Sequence, residues 1–330
     1  MKFLIGVACL LSIAAGFHRA IAGQVSLEEV IIGYPSRSMT ELPTHVAAKK
    51  GFFRSEGLDV KLVQARSNIL AAALTSGSMA YITSVTTTLG GIMGGLPAKV
   101  IAGVTKNNPD FLMVRSEIRS ITDLKGKKLA VSGFGGASHQ RLLIILSKAG
   151  LNPSTDVTIL SVGDARLRLE QLRVGAIDAT VLTAPNNFMA ERAGFRSLGS
   201  SSDVLALPAV GVATLERRLK EKPEEVKKVL RALLKGMRQL KERRDEAVMT
   251  AMEWLTLDRE LAERSYDTML PHYSLDGSID PAALQASLDQ LNQRRGGSGK
   301  TLSSKDVTDF SFLEEVRREL ARQLSGESFR

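Results

Sequence analysis

The segment Lys127–Leu146 reads KKLAVSGFGGASHQRLLIIL and predicts a strand, a tight loop and a helix in succession. Leu129–Val131 is short and apolar, as in a buried parallel strand, and Ser132–Gly136 contains the glycines of a turn. Leu142–Leu146 then forms a helix interior, and Ser138 or a neighbour can cap that helix. N–H groups at its start, together with the helix dipole, would face a cleft and bind an anionic or strongly polar group. A plain strand-to-helix turn is the alternative, because such turns recur throughout α/β proteins.

Nucleotide-binding motifs do not fit this loop. Gly133 and Gly135 begin a G-x-G-x-x-G pattern, but Ser138 stands where the third glycine belongs. The G-K-[ST] ending of a phosphate-binding Walker loop is also absent from this segment. The loop therefore predicts ligand binding without nucleotide chemistry.

The composition favours a globular protein of about two domains. The 330 residues are 44% hydrophobic and only 5% aromatic, and so few rings argue against a surface that stacks nucleic-acid bases. The formal charge of +9 becomes +7 once the two basic residues of segment 1–22 are removed. Basic residues concentrate in Arg217–Arg244, but acidic residues interrupt them, which is typical of a solvated helix face. We therefore predict no nucleic-acid partner.

Residues 1–22 have the pattern of a secretory leader. Lys2 gives the basic start, Phe3–Ala15 the apolar core, and Ala20–Ala22 an A-x-A cleavage site. We predict cleavage after Ala22 and a periplasmic location, with a retained anchor as the alternative. The single cysteine, Cys9, lies within the leader, so the mature chain would have neither a disulfide nor a thiolate site.

Catalysis has little support in the sequence. His45, His139 and His272 lack the spacing of metal ligands, and no G-x-S-x-G motif occurs. We therefore predict a protein that is not an enzyme, with no catalytic residues, no metal and no cofactor.

The order of apolar segments predicts an α/β fold with parallel, doubly wound sheets. Residues 113–204 form a second α/β unit, residues 210–214 return to the first, and the remainder is helical. A polar loop, 84–88, is expected between the third strand and a helix over 89–96. Predicted strands are 29–34, 58–63, 81–84, 99–104, 111–115, 129–131, 157–162, 178–182, 195–198 and 210–214.

Four stretches together resemble the solute-binding proteins of ATP-driven (ABC) importers, within the nitrate/sulfonate/taurine-binding and thiamine-precursor-binding (NMT1/THI5-like, SsuA-like) family. They are Ala47–Val60, Ile121–Val131, Leu172–Pro185 and Ala193–Phe195. The likeness covers most of residues 27–295. One departure is Gly77–Tyr81, which lacks the aspartate that many members have before the third strand.

The resemblance implies the type II periplasmic-binding-protein fold: two doubly wound α/β lobes with a cleft between them, and a helical C-terminal region. We expect a signal peptide over 1–22, the first part of lobe 1 over 23–112, and lobe 2 over 113–204. Residues 205–330 would complete lobe 1 and add the C-terminal helices. Such proteins perform no chemistry and deliver a small solute to a permease in the inner membrane.

The resemblance also places ligand-binding residues in four loops that follow strands. Arg37 could equally be an exposed loop charge, and Asn186 or the hydroxyls of Ser84 and Thr86 could cap helices instead. The expected ligand-binding residues are Ser36, Arg37, Ser38, Met39, Ser84, Thr86, Ser132, Gly135, Gly136, Ala137, Ser138, Thr183 and Asn186.

These observations predict an extracytoplasmic protein that captures a small anionic or zwitterionic organic solute of sulfonate, carboxylate or pyrimidine-precursor type. The alternative is a ligand-sensing receptor or scaffold that presents its bound state to a membrane signalling protein.

Overall fold

The computed structural model describes residues 27–201, 210–294 and 301–327. The predicted leader over 1–22 and the predicted lobe boundary between residues 204 and 205 lie outside these ranges. The described chain forms two five-stranded sheets, each covered by helices, as the α/β fold class predicts.

The two sheets have the same strand pattern. The first sheet has the order β2-β1-β3-β10-β4 and forms the first lobe; the second has the order β7-β6-β8-β5-β9 and forms the second lobe. The strands are β1 (Glu28–Tyr34), β2 (Leu58–Gln64), β3 (Tyr81–Ser84), β4 (Ala98–Gly103), β5 (Phe111–Val114), β6 (Lys128–Val131), β7 (Thr158–Ser161), β8 (Ala179–Leu182), β9 (Arg196–Ser200) and β10 (Val210–Leu215).

The parallel pairing expected from the β-α-β-α alternation is present in both sheets, and one strand in each lobe runs antiparallel to its neighbours. β1 pairs in parallel with β2 and β3, and β6 with β7 and β8. β10 is antiparallel to both β3 and β4, and β5 is antiparallel to both β8 and β9. These are the strands by which the chain enters a lobe from the other lobe. The parallel strands of each sheet end at the edge that faces the cleft. A strand that begins at this edge therefore runs in the opposite direction to its neighbours.

Helices cover the faces of both sheets and form the C-terminal region. They are α1 (Leu42–Lys49), α2 (Phe52–Ser55), α3 (Ser67–Ser76), α4 (Val85–Met93), α5 (Ala137–Lys148), α6 (Ala165–Arg173), α7 (Asn186–Arg192), α8 (Glu216–Glu221), α9 (Pro223–Glu242), α10 (Arg244–Leu255), α11 (Arg259–Met269), α12 (Pro281–Arg294), α13 (Ser304–Val307) and α14 (Ser311–Glu327).

The structure corrects one local prediction and decides another. The polar loop expected over 84–88 is instead the start of α4, because the Ser84 hydroxyl accepts the Thr87 N–H and caps a helix that begins at Val85. Of the candidates for the N-cap of α5, Ser138 or a neighbour, the structure has the neighbour Gly136, which makes no side-chain hydrogen bond.

Apolar side chains fill cores on both faces of each sheet. In β1, Val30 and Ile32 pack with the buried stripe of α9, while Ile31 packs against α3 and α4. In the second lobe, Leu112 and Val114 of β5 join the core under α5, and Met113 joins the core under α6. This alternation follows from the two-residue period of a strand. The cores hold the sheet edges rigidly, and the loops at those edges form the site.

Candidate functional site

A polar pocket lies between the lobes, at the ends of strands from both sheets. It contains about 530 Å³ of space between atoms, including its open mouth. This edge, where parallel strands end and helices begin, is where open α/β folds bind ligands. The pocket is lined by Pro35, Ser36, Ser38, Thr40, Ser67, Ser84, Asn108, Asp110, Ser132, Ala137, Ser138, Ala165, Arg168, Val181, Thr183 and Val210.

The loop between β6 and α5 forms part of the pocket wall. The Ser138 hydroxyl accepts the Ser132 N–H at 2.8 Å and lies 2.9 Å from the Ser132 hydroxyl, so the two serines close the loop on itself. Ala137 and Ser138 begin α5 and line the pocket. The first N–H groups of a helix have no acceptor within it, so those of Ala137 and Ser138 can donate to a ligand.

Two buried polar side-chain atoms of the lining have neither a hydrogen-bond nor an ion-pair partner in the described ranges. A third, Asp110 Oδ2, makes no hydrogen bond but lies 2.5 Å from Arg141 Nε. Asn108 Oδ1 and Thr183 Oγ1 make no hydrogen bond with any residue in the described ranges. A buried polar atom without a partner costs about 1–3 kcal/mol. A ligand that hydrogen-bonds to these atoms would remove that cost.

Three buried ionic groups lie at the pocket. Arg168 of α6 and Asp110, which precedes β5, both line it, and Arg141 of α5 pairs through Nε with Asp110 Oδ2 at 2.5 Å. Burial raises the pKa of Asp110, and the charges of Arg141 and Arg168 oppose that shift. Burial also lowers the pKa of Arg168 to about 10, so its guanidinium keeps its charge at neutral pH.

A fourth buried group, Glu41, follows the pocket residue Thr40. Its side chain is fully buried, and neither carboxyl oxygen makes a hydrogen bond of normal geometry within the described ranges, although the Thr83 hydroxyl is near enough to oppose the effect of burial on its pKa. Burial raises the pKa of Glu41 to about 8, so the carboxyl is mostly protonated and neutral at pH 7.

The two lobes touch each other around the pocket. Gln64 Nε2 donates to Asp164 Oδ2 at 2.6 Å, and the Ser36 hydroxyl accepts the Ala165 N–H at 3.3 Å. The Met39 N–H donates to the carbonyl of Ala184 at 2.8 Å. These bonds join the ends of β1 and β2 to the second lobe, so this conformation is closed.

The glycine-rich loop packs against Ser67, the first residue of α3 in the other lobe. A β-carbon at Gly136 would lie 2.6 Å from Ser67 Oγ, and one at Gly133 would lie 3.7 Å from Ser67 Cβ. Gly136 has φ −76°, which any residue can adopt. Close approach of the other lobe, rather than backbone conformation, therefore favours glycine at position 136.

The structure brings seven of the thirteen expected residues to the pocket: Ser36, Ser38, Ser84, Ser132, Ala137, Ser138 and Thr183. Arg37 and Asn186 instead line a neighbouring cavity at the cleft mouth, and Arg37 also donates to the carbonyl of Trp254. Met39 is fully buried in a hydrophobic cluster, and Thr86 is buried in the first turn of α4. Gly135 and Gly136 form the turn before α5; Gly135 has φ +79°.

Three pocket residues were not predicted from the sequence: Arg168, Asp110 and Asn108. Arg168 lies on the buried face of α6 with Ala165 and Leu172. An arginine at an apolar-face position is a signal that could have identified it, because a buried charge requires a partner.

Within the described ranges, no three His, Cys, Asp or Glu side chains cluster closely enough to hold a metal ion. The helices in those ranges are also too short or too polar to span a membrane.

The two lobes with the pocket between them form the periplasmic-binding-protein fold. The profile of the NMT1/THI5-like family matches residues 40–247, and the chain belongs to that family.

Individual relatives bind different solutes, to judge from their names. The chain is 28% identical to the riboflavin-binding protein RibY of Chloroflexus aurantiacus, over 68% of this chain and 67% of that protein. It is 27% identical, over 96% of each chain, to a Bacillus subtilis (strain 168) protein named for a proposed role in binding aliphatic sulfonates. The periplasmic nitrate-binding protein NrtA of Synechocystis PCC 6803 superimposes with a TM-score of 0.75 at 16% identity, over 89% of each chain.

Proposed function

We propose that this protein is an extracytoplasmic, non-enzymatic binding protein that captures a small anionic or zwitterionic organic solute and delivers it to an ABC permease. The observation that carries the proposal is the pocket between two contacting lobes, lined by hydroxyls, helix N-termini and unpartnered polar atoms. Family membership supports the same function. A leader over 1–22 would direct the chain to the periplasm.

The lining favours a small polar solute over a large flat one. Eight lining residues carry hydroxyl groups, and no aromatic side chain of the described ranges lines the pocket. Hydroxyls bind sulfonate or carboxylate oxygens, whereas a flavin ring needs apolar or aromatic surfaces on which to stack. Among the solutes named for relatives, sulfonates therefore fit this lining better than riboflavin.

Thermal unfolding against a panel of solutes tests capture. The panel contains alkanesulfonates, aromatic carboxylates, amino acids, nitrate, thiamine pyrimidines and riboflavin. A ligand at 100 times its dissociation constant adds about 2.7 kcal/mol to the stability of the folded state. For a chain of this size that raises the unfolding midpoint by about 5 °C. A midpoint that none of these solutes changes would contradict the proposal.

Uptake by cells tests delivery. Deletion of the gene should abolish accumulation of the solute that binds, and the intact gene on a plasmid should restore it. Tight binding with unchanged uptake would contradict delivery and favour the ligand-sensing receptor.

A further inference from the structure

Arg168 is held rigidly at the pocket wall. Nε donates to the carbonyl of Gly163 at 3.1 Å, and Nη1 donates to Thr180 Oγ1 at 3.1 Å and to the carbonyl of Val181. These bonds use Nε and Nη1 of the guanidinium. The remaining terminal nitrogen, Nη2, makes no hydrogen bond with any residue in the described ranges, and Arg168 lines the pocket. A fixed cation with an unused donor suits an anionic oxygen.

Asp110, the acidic residue among those that line the pocket in the described ranges, is already paired with Arg141. Asp110 Oδ2 lies 2.5 Å from Arg141 Nε, and both side chains are buried. Arg141 and Arg168 contribute two positive charges and Asp110 contributes one negative charge. These three buried groups therefore carry a net charge of +1.

A further carboxylate, Asp164, also acts on Arg168, but it is only half-buried and already accepts hydrogen bonds from Gln64 and from the first N–H groups of α6. The Glu41 carboxyl, next to the pocket residue Thr40, is mostly neutral at pH 7.

We infer that the pocket selects a monoanionic head group, a sulfonate or carboxylate, that pairs with Arg168, and that it discriminates against zwitterions and neutral solutes. A buried charge needs a counter-charge, and one negative charge supplies it. An ammonium group would require a carboxylate, but the lining's Asp110 is engaged with Arg141. This inference rests on the proposed solute capture and narrows its ligand class.

The wild-type protein provides the first test, with pairs of probes in which a methyl group replaces an ammonium group. The pairs are propane-1-sulfonate with taurine, butanoate with β-alanine, and 4-ethylbenzoate with 4-(aminomethyl)benzoate. Titration calorimetry at pH 7 should show that the monoanion binds at least 10-fold more tightly in each pair that binds. Equal or tighter binding of the zwitterions, or of neutral riboflavin, would overturn the inference but not solute capture. If none of these probes and no solute of the thermal panel binds, capture itself fails, and the inference fails with it.

Substitution of the arginine provides the second test. Arg168→Gln should weaken binding of the preferred monoanion at least 100-fold. Arg173→Gln is the matched control, because Arg173 ends the same helix and lies outside the pocket lining. Its dissociation constant should stay within twofold of wild type. A folded Arg168→Gln protein that binds the monoanion as wild type does would overturn the inference. If that variant does not fold, the wild-type pairs decide the question.

Discussion

Replacing Gly136 with alanine should weaken ligand binding by hindering closure of the lobes. The added β-carbon would lie 2.6 Å from Ser67 Oγ, whereas ordinary contacts begin at 3.4 Å. Its next neighbours, Gly133 O and Ser132 Oγ, both lie at 3.2 Å and belong to the same lobe. The severe overlap therefore arises only where the two lobes meet.

The size of the effect follows from that overlap. Overpacking by one methyl group costs about 1–3 kcal/mol, which corresponds to about 5-fold to about 150-fold in the dissociation constant. Rotation of the short Ser67 side chain relieves part of the overlap, so we expect a loss of about 10-fold. Gly136 also caps α5, where alanine is less favourable than glycine. The unliganded protein should therefore unfold more easily by about 0.5–1 kcal/mol.

A double-mutant cycle separates closure from stability. Dissociation constants for the tightest-binding monoanion are measured by calorimetry for wild type, Gly136→Ala, Ser67→Ala and the double variant. Removal of Ser67 Oγ takes away the overlap, so the double variant should bind as Ser67→Ala does. The reasoning is refuted if Gly136→Ala binds within twofold of wild type, or if the double variant is no tighter than Gly136→Ala.

Three further predictions concern stability. Gly90 is exposed inside α4, and a β-carbon added there would have no atom within 4 Å apart from its chain neighbours and the backbone of its own helix. Gly90→Ala should therefore raise the free energy of unfolding by about 0.5–1 kcal/mol in urea titrations, and no change would contradict this. The buried Glu225 carboxylate accepts hydrogen bonds of 2.7 Å from Tyr81 and from Arg218. Glu225→Gln should therefore lower the free energy of unfolding by about 2 kcal/mol in the same assay. The exposed control, Glu224→Gln, should lower it by less than about 0.5 kcal/mol. Glu41 has a pKa raised to about 8 from the ordinary 4.5, so between these pH values the folded state retains a proton that the unfolded state loses, and stability falls as pH rises. Glu41→Gln should flatten this dependence by up to about 1.4 kcal/mol per pH unit, and parallel pH profiles of the two proteins would contradict the assignment.

The sequence predicted those parts of the fold that depend on local periodicity. The apolar stripe of α9, from Val226 to Leu240, is buried as expected, because residues three and four apart share a helix face. The direction of β5 and β10 was not predictable in this way. An apolar strand has the same pattern whether its neighbours run parallel or antiparallel to it.

The sequence indicated which loops form the site, but it indicated fewer of the side chains that line it. Strand ends indicated the positions of Ser36, Ser132 and Thr183, which all line the pocket. Asp110 and Arg168 are 58 positions apart in the sequence, and only the packing of the second lobe brings both to the pocket. Gly136 leaves room for the close approach of the other lobe. In the sequence, such a glycine cannot be distinguished from one that permits a tight turn.

The strand order has a consequence for how the chain acquires its structure during synthesis. The second sheet uses one continuous segment, β5 to β9, whereas the first sheet is incomplete until β10 arrives. The second lobe, although encoded later than β1 to β4, can therefore finish folding first. Pairing of Phe111 with Ser200 then holds the ends of this segment together. The folded second lobe then shortens the flexible loop that must close when Gly211 of β10 pairs with Gly103 of β4. A shorter loop costs less entropy to close, so prior folding of the second lobe favours completion of the first sheet.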